Sequence, residues 1–364
     1  RDRIHVSQFD QQGGALAARF AHADDAAATQ LDASLAGGTI VLTSGQLVID
    51  KDLTISGAAA PDLQISGNST SRVLMVISDT VASLVSLTIR DGKAPDGAPF
   101  PLQLPGEPGG GILNNGTLSL SHCVINDNRS GTGAESEYGE GTAGGPGGGI
   151  YNTGTLLVSD CIVRANVTGD GGFGRGKGGD GGGIYNRGRL TLERATVSGN
   201  HSGNGAGDGW YDPSRGGGAG GDGGGIANAG ILTATQSAVL NNQTGLGGAG
   251  GSAYHQSTQG GPGGNGGGIA NQGSLNLARV VVRENSTGGG GPGGSASGQG
   301  YGEPGGDGGY GGGIFSSGHL TLIDSTIVQN TTGPGGTGGS ASTSPGQGGP
   351  GGSGGGLYGS GVYT

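Results

Sequence analysis

The sequence predicts an all-β chain: a right-handed parallel β-helix, or solenoid, with an N-terminal cap helix and stacked glycine-rich polyproline II loops on one side. Three observations predict it. A unit opening on Gly-Gly-Gly-Ile recurs along the chain. The first part of each unit keeps one length and reads as short alternating strands, and the remainder is glycine-rich with a three-residue period.

The opening isoleucines are Ile112, Ile150, Ile184, Ile226, Ile269 and Ile314, with Leu357 as a last variant. Sixteen positions after each isoleucine stands an asparagine: Asn128, Asn166, Asn200, Asn242, Asn285 and Asn330. All variation in unit length falls after that asparagine. Within the constant part, Leu118, Leu156, Leu190, Leu232, Leu275 and Leu320 begin one apolar column. A second strand contributes Ile125, Val163, Val197, Val239, Val282 and Ile327. Alternation over so few residues means strands with one buried face. One unit cannot cover that face alone, so like residues stack on like along the bore. The asparagines then either form a bonded ladder at a corner or face water in a polar turn. Glycine four positions after each isoleucine, from Gly116 to Gly318, suggests a left-handed backbone there.

Three regions result. Residues 1–38 form an N-terminal segment whose Ala26 to Leu35 reads as a cap helix, with Ala27, Leu31 and Leu35 on one side and Gly37-Gly38 as the stop. Residues 39–108 supply irregular first coils with short strand-like runs, and 109–364 hold the regular units.

The loops keep a register of their own, as in GGPGGNGGG at 260–268 and PGGDGGYGGG at 304–313. Polyproline II has three residues per turn, so glycine on two edges lets neighbouring backbones approach and leaves the third edge for other side chains. The alternative is a flexible linker. Near the loop middles lie Tyr138, Phe173, Trp210, Tyr211, Tyr254 and Tyr301. They are candidates for contact with a glycan, a cell-surface ligand or another copy, or each ring packs on its own arms.

Composition narrows the function. Glycine is 94 of 364 residues and hydrophobic residues are 31%, too few for a large conventional core outside the repeats. The net charge of −10 argues against nucleic acid, and no apolar run is long enough for a membrane span. Cys123 and Cys161 share one position in consecutive units, which makes them either stacked free thiols or a disulfide. Each ladder asparagine also opens an Asn-x-Ser/Thr triplet, giving a choice between glycosylation and a paired Asn and Ser/Thr ladder. Asp180, Asp222 and Asn265 occupy equivalent loop positions that would hold either a weak cation or solvated side chains. No cofactor motif or metal spacing is present; the six histidines share no fixed offset.

The run GGTIVLTSGQLVIDKDLTISG, followed by units such as GGGIYNTGTLLVSDCIVRANVT, resembles the pectin-lyase-like right-handed β-helix proteins, and among them the bacterial surface and autotransporter-passenger group with polymorphic-outer-membrane-type repeats. The resemblance implies a secreted, extracellular or cell-surface protein, often adhesive. Polysaccharide lyases of that fold use clustered acidic calcium ligands and a basic residue. Here the acids Asp127, Asp160, Glu193, Glu284 and Asp324 vary in position. The leading expectation is therefore a noncatalytic extracellular structural protein: a fibre subunit, surface layer or adhesin, with self-association through open coil edges. A polysaccharide lyase or hydrolase and an ice-binding protein are the alternatives. An ice-binding threonine array would start at Thr117 and Thr155, but Arg189, Ile231 and Ser274 interrupt it.

Overall fold

The computed structural model describes residues 27–136, 141–208, 216–252, 257–297 and 300–359, with two short pieces at 10–11 and 14–15. The chain is a parallel β-helix. Among the described residues, three parallel sheets of nine strands each run from Ala27 to Gly359, consistent with the right-handed sense that parallel crossovers take. Sheet I holds the strands that open each unit, from Leu47–Ile49 through Ile112–Asn114 to Leu357–Gly359. Sheet II holds Ala27–Gln30, then strands such as Thr117–Ser121, and ends at His319–Ile323. Sheet III runs from Thr39–Val41 to Thr326–Val328.

Register is the expected like-on-like stacking. Ile112 pairs Ile150, which pairs Ile184, then Ile226, Ile269 and Ile314. All six isoleucines are 0% exposed. The leucine column pairs the same way from Leu118 to Leu320, and so does the column from Ile125 to Ile327. These three aliphatic columns fill the bore as one cluster, the main source of hydrophobic stabilisation at about 25 cal/mol per Å² removed from water. The first coils, through Thr88–Arg90, lie in the same three sheets.

Two local expectations are corrected. The segment read as a cap helix is instead the strand Ala27–Gln30, paired with Leu53–Ser56, followed by a single 3-10 turn at Ala33–Leu35 capped by Asp32. An apolar spacing of four suits a helix, but a strand plus a turn also buries Leu31 and Leu35, and ladder bonds to the next coil decide between them. The glycines from Gly116 to Gly318 are not in the left-handed region. They are glycine because the coils touch: a Cβ on Gly154 would overlap the carbonyl oxygen of Gly116, and one on Gly188 that of Gly154.

Left-handed residues occur elsewhere. Gly109, Gly147, Gly181, Gly223, Gly266 and Gly311, three before each isoleucine, have φ between +65° and +72°. Two more corners are turned by residues of mixed type. His122, Asp160, Arg194, Gln236, Arg279 and Asp324 form one set. Asp127, Ala165, Gly199, Asn241, Glu284 and Gln329 form the other, each just before a ladder asparagine. The scattered acids of the sequence are thus largely corner residues.

Candidate functional site

The feature that departs most from a plain solenoid is the glycine-rich insertion, which leaves the coil after sheet III and returns at sheet I. Its root is the asparagine ladder. Asn200 Nδ2 donates to Asn242 Oδ1 at 2.9 Å and to the Val163 carbonyl at 3.0 Å, while its Oδ1 accepts from the backbone N–H and Nδ2 of Asn166. Asn128, Asn166, Asn242 and Asn285 repeat the pattern, and Asn330 Oδ1 closes it. A second ladder, Asn114, Asn152, Asn186, Asn228 and Asn271, runs along another corner and ends on Ser316 Oγ. These buried amides spend their hydrogen bonds along the stack, so the sequon reading gives way to the ladder reading.

Two residues beyond each ladder asparagine, a hydroxyl ties the arms to the coil. Thr168 Oγ1 donates to the Gly179 carbonyl at 2.6 Å and accepts from the Gly203 N–H of the next unit at 2.7 Å. Ser130, Ser202, Thr244 and Thr287 do the same, and Thr332 donates to Gly352. The Asn-x-Ser/Thr triplet is therefore a two-part clamp: the amide holds the coil and the hydroxyl holds both arms.

Beyond the clamp, outgoing arms stack on outgoing arms and returning arms on returning arms. Gly205 N–H donates to Leu246 and Gly247 to Gly289 in one row; Gly220 donates to Pro262 and Gly263 to Asp307 in the other. A zigzag of seven bonds crosses between the rows: Gly218 to Ala206, Gly248 to Gly218, Gly261 to Gly248, and onward through Gly291, Gly306 and Gly336 to Gly349, all at 2.7 or 2.8 Å. In GGPGGN at 260–265, the first glycine of each triplet bonds along its row and the second bonds across. The third position needs no row bond from its N–H, so proline fits at Pro262, Pro292, Pro304, Pro334 and Pro350. At several third positions that do have an N–H, an Asp, Asn or Ser of the preceding coil accepts it. Asp180 accepts from Asp222, Asp222 from Asn265, and Asn265 from Tyr310. Ser252 and Ser295 serve their successors likewise.

Asp180 and Asp222 thus have backbone partners, and Lys177 Nζ lies 2.8 Å from Asp180 and 3.0 Å from Asp222. That ammonium takes the place where a bound cation was one reading. Burial works against its charge, but the two carboxylates more than compensate and hold its pKa above the ordinary lysine value. Burial also raises the Asp180 carboxyl, with Lys177 pulling it back. A deeper pair, Arg175 with Asp208 at 3.2 Å, ties an arm of one unit to the next.

Of the loop-tip aromatics, Phe173 is 44% exposed and Tyr301 65% exposed. Tyr138, Trp210, Tyr211 and Tyr254 lie outside the described residues. Cys123 and Cys161 are both buried free thiols stacked in consecutive coils, the Cys123 N–H pointing at Cys161 Sγ at 3.2 Å. The Cys123 thiol and burial together push Cys161 up. The interrupted column Thr117, Thr155, Arg189, Ile231 and Ser274 is stacked in register on the outer face of sheet II. No helix among the described residues is long and apolar enough to cross a membrane.

The sequence placed Asp180, Asp222 and Asn265 at equivalent positions, but their bonding to the next coil, the Ser ladder and the bridging Lys177 were missed. The available signals were shared offsets: four residues before the next isoleucine for Asp180, Asp222 and Asn265, and ten after the ladder asparagine for Ser252, Ser295 and Ser340. No protein-family model, curated protein or solved structure matches the chain.

Proposed function

We propose that this chain is a noncatalytic extracellular structural protein whose β-helix carries a slab of polyproline II arms as a display and assembly surface. The observation that carries this reading is where the polar groups go. At every repeated position the amides, hydroxyls and glycine N–H groups hold coil to coil or arm to arm, which yields a stiff projecting layer. A flat layer with glycine and proline along its edges presents little side-chain entropy to lose on contact, which favours packing against other copies. The N-terminal coils act as a cap that shields the end of the bore. The sequence ground for placing it outside the cell is that its repeat units resemble those of autotransporter passengers.

Immunogold labelling of intact source cells, together with sedimentation velocity over rising protein concentration, tests the proposal. Surface labelling and concentration-dependent growth are expected. Labelling confined to the cell interior, or turnover of uronate polymers by the purified protein, would overturn it.

A further inference from the structure

The bore holds a pair of nucleophilic groups that the proposed function leaves unused. Cys123 and Cys161, the chain's two cysteines, are each 1% exposed and belong to the apolar cluster. Each stands one residue before a sheet III strand, and Val124 pairs in register with Ile162. One coil spacing of about 4.8 Å therefore separates their Cα atoms, inside the roughly 4.4–6.8 Å that a disulfide spans.

Later units show what this corner position needs. Ser237 Oγ accepts from the Ala195 N–H and Ser325 Oγ from the Val280 N–H, both at 3.1 Å. Each hydroxyl also donates to the carbonyl two residues before it, that of Thr235 and that of Ile323. Cys161 Sγ repeats the pattern, accepting from the Cys123 N–H at 3.2 Å and lying 3.0 Å from the Ser159 carbonyl. Serine thus meets the structural duty, and a second sulfur adds a covalent option that serine lacks. The Cys161 thiol hydrogen-bonds the Cys123 sulfur and, with a backbone bond from Leu87, outweighs burial and favours the Cys123 thiolate. One sulfur is set as the nucleophile and its neighbour as the thiol that resolves it.

We propose that Cys123 and Cys161 are a peroxide-responsive dithiol that closes to a disulfide between consecutive coils. The Cys123 thiolate attacks one oxygen of hydrogen peroxide, the O–O bond breaks, and the sulfenic acid forms with release of hydroxide. The Cys161 sulfur then attacks the Cys123 sulfur, the S–O bond breaks, and the oxygen leaves as water with the Cys161 proton. The two thiols lose two electrons and two protons, and peroxide is reduced to two waters. Burial selects this oxidant, since peroxide is little larger than water and bulky disulfides do not reach the bore. The bond ties the first two units of the Gly-Gly-Gly-Ile series across their glycine-rich insertion, so those coils no longer part when the chain opens locally. The site does not depend on whether the protein assembles or where it resides.

Treating the folded, reduced full chain with hydrogen peroxide and counting thiols after denaturation tests the pair. Both thiols should disappear together, the mass should fall by two hydrogens, and dithiothreitol should restore both. The disulfide should lie within one chain on a denaturing, non-reducing gel, and the urea midpoint should rise on oxidation and return on reduction. Cys161→Ser keeps the N–H acceptor that Ser237 and Ser325 supply in later units, so the fold is retained and circular dichroism verifies it. There Cys123 should stop at the sulfenic acid and be captured by dimedone. In Cys123→Ser, capture at Cys161 should be at least about tenfold slower. Two thiols still free in the peroxide-treated wild-type chain, a disulfide only between chains, or equal capture in the two variants would each overturn the proposal.

Discussion

Asn200 shows how much one side chain can hold. Both hydrogens of its amide and both lone-pair positions of its oxygen are used, at 0% exposure. Replacement by alanine strands the Asn166 N–H inside the coil and leaves the Asn166 and Asn242 side-chain amides each a partner short. With each buried orphan costing about 1–3 kcal/mol, Asn200→Ala should lose about 2–4 kcal/mol in urea denaturation. A loss below about 0.5 kcal/mol would mean that the ladder is ornamental. Asp160 tests a corner. Arg194 grips its carboxylate through Nε and Nη2, both at 2.7 Å, and holds its pKa at about 2 against an ordinary 3.8. A depressed carboxyl stabilises the folded state above its unfolded value, and that contribution disappears as pH falls from near 3.8 through about 2. An NMR titration should place the Asp160 midpoint near 2 and return it to the ordinary range in Arg194→Gln. An unshifted midpoint in the native chain would rule out the grip. The ladder asparagines were legible in the sequence because an amide ladder needs one residue type at one spacing. The left-handed corners were not, since His122, Asp160, Arg194 and Gln236 share only a backbone conformation.

At the scale of the element, the arms obey a rule that substitution can probe within a few residues. A Cβ on Gly205 would overlap the Gly218 carbonyl, whereas one on Gly207 meets nothing closer than 3.7 Å. Gly205→Ala should cost about 1–3 kcal/mol by overpacking. Gly207→Ala should be neutral within about 0.5 kcal/mol. Equal effects on thermal unfolding would contradict two cross-bonded rows. The three-residue period was readable because it is local. The crossing between outgoing and returning arms was not, because Gly248 finds Gly218 only once two units have stacked. The same limit explains the N-terminal helix that is absent: Ala27–Gln30 is a strand because Leu53–Ser56 lies beside it, a neighbour that no local pattern names.

The whole molecule behaves as a one-dimensional stack in which each unit is stabilised by the units on either side. Two systems run in parallel along the regular units, an aliphatic bore and a hydrogen-bonded slab, joined by the Asn and Ser/Thr clamps of each unit from Asn128 to Asn330. The bore follows from ordinary burial. The slab is the unusual part, since fixing each glycine backbone costs about 1–2 kcal/mol in entropy and is offset only if the arm N–H groups are bonded rather than hydrated. Amide hydrogen exchange measures that directly. Gly248, Gly261, Gly291 and Gly306 should be protected to a degree comparable with Ile226 and Ile269 in the strands of sheet I. Exchange of those glycine amides at the rate of a free glycine linker, while the strands remain protected, would show that the arms do not form a slab.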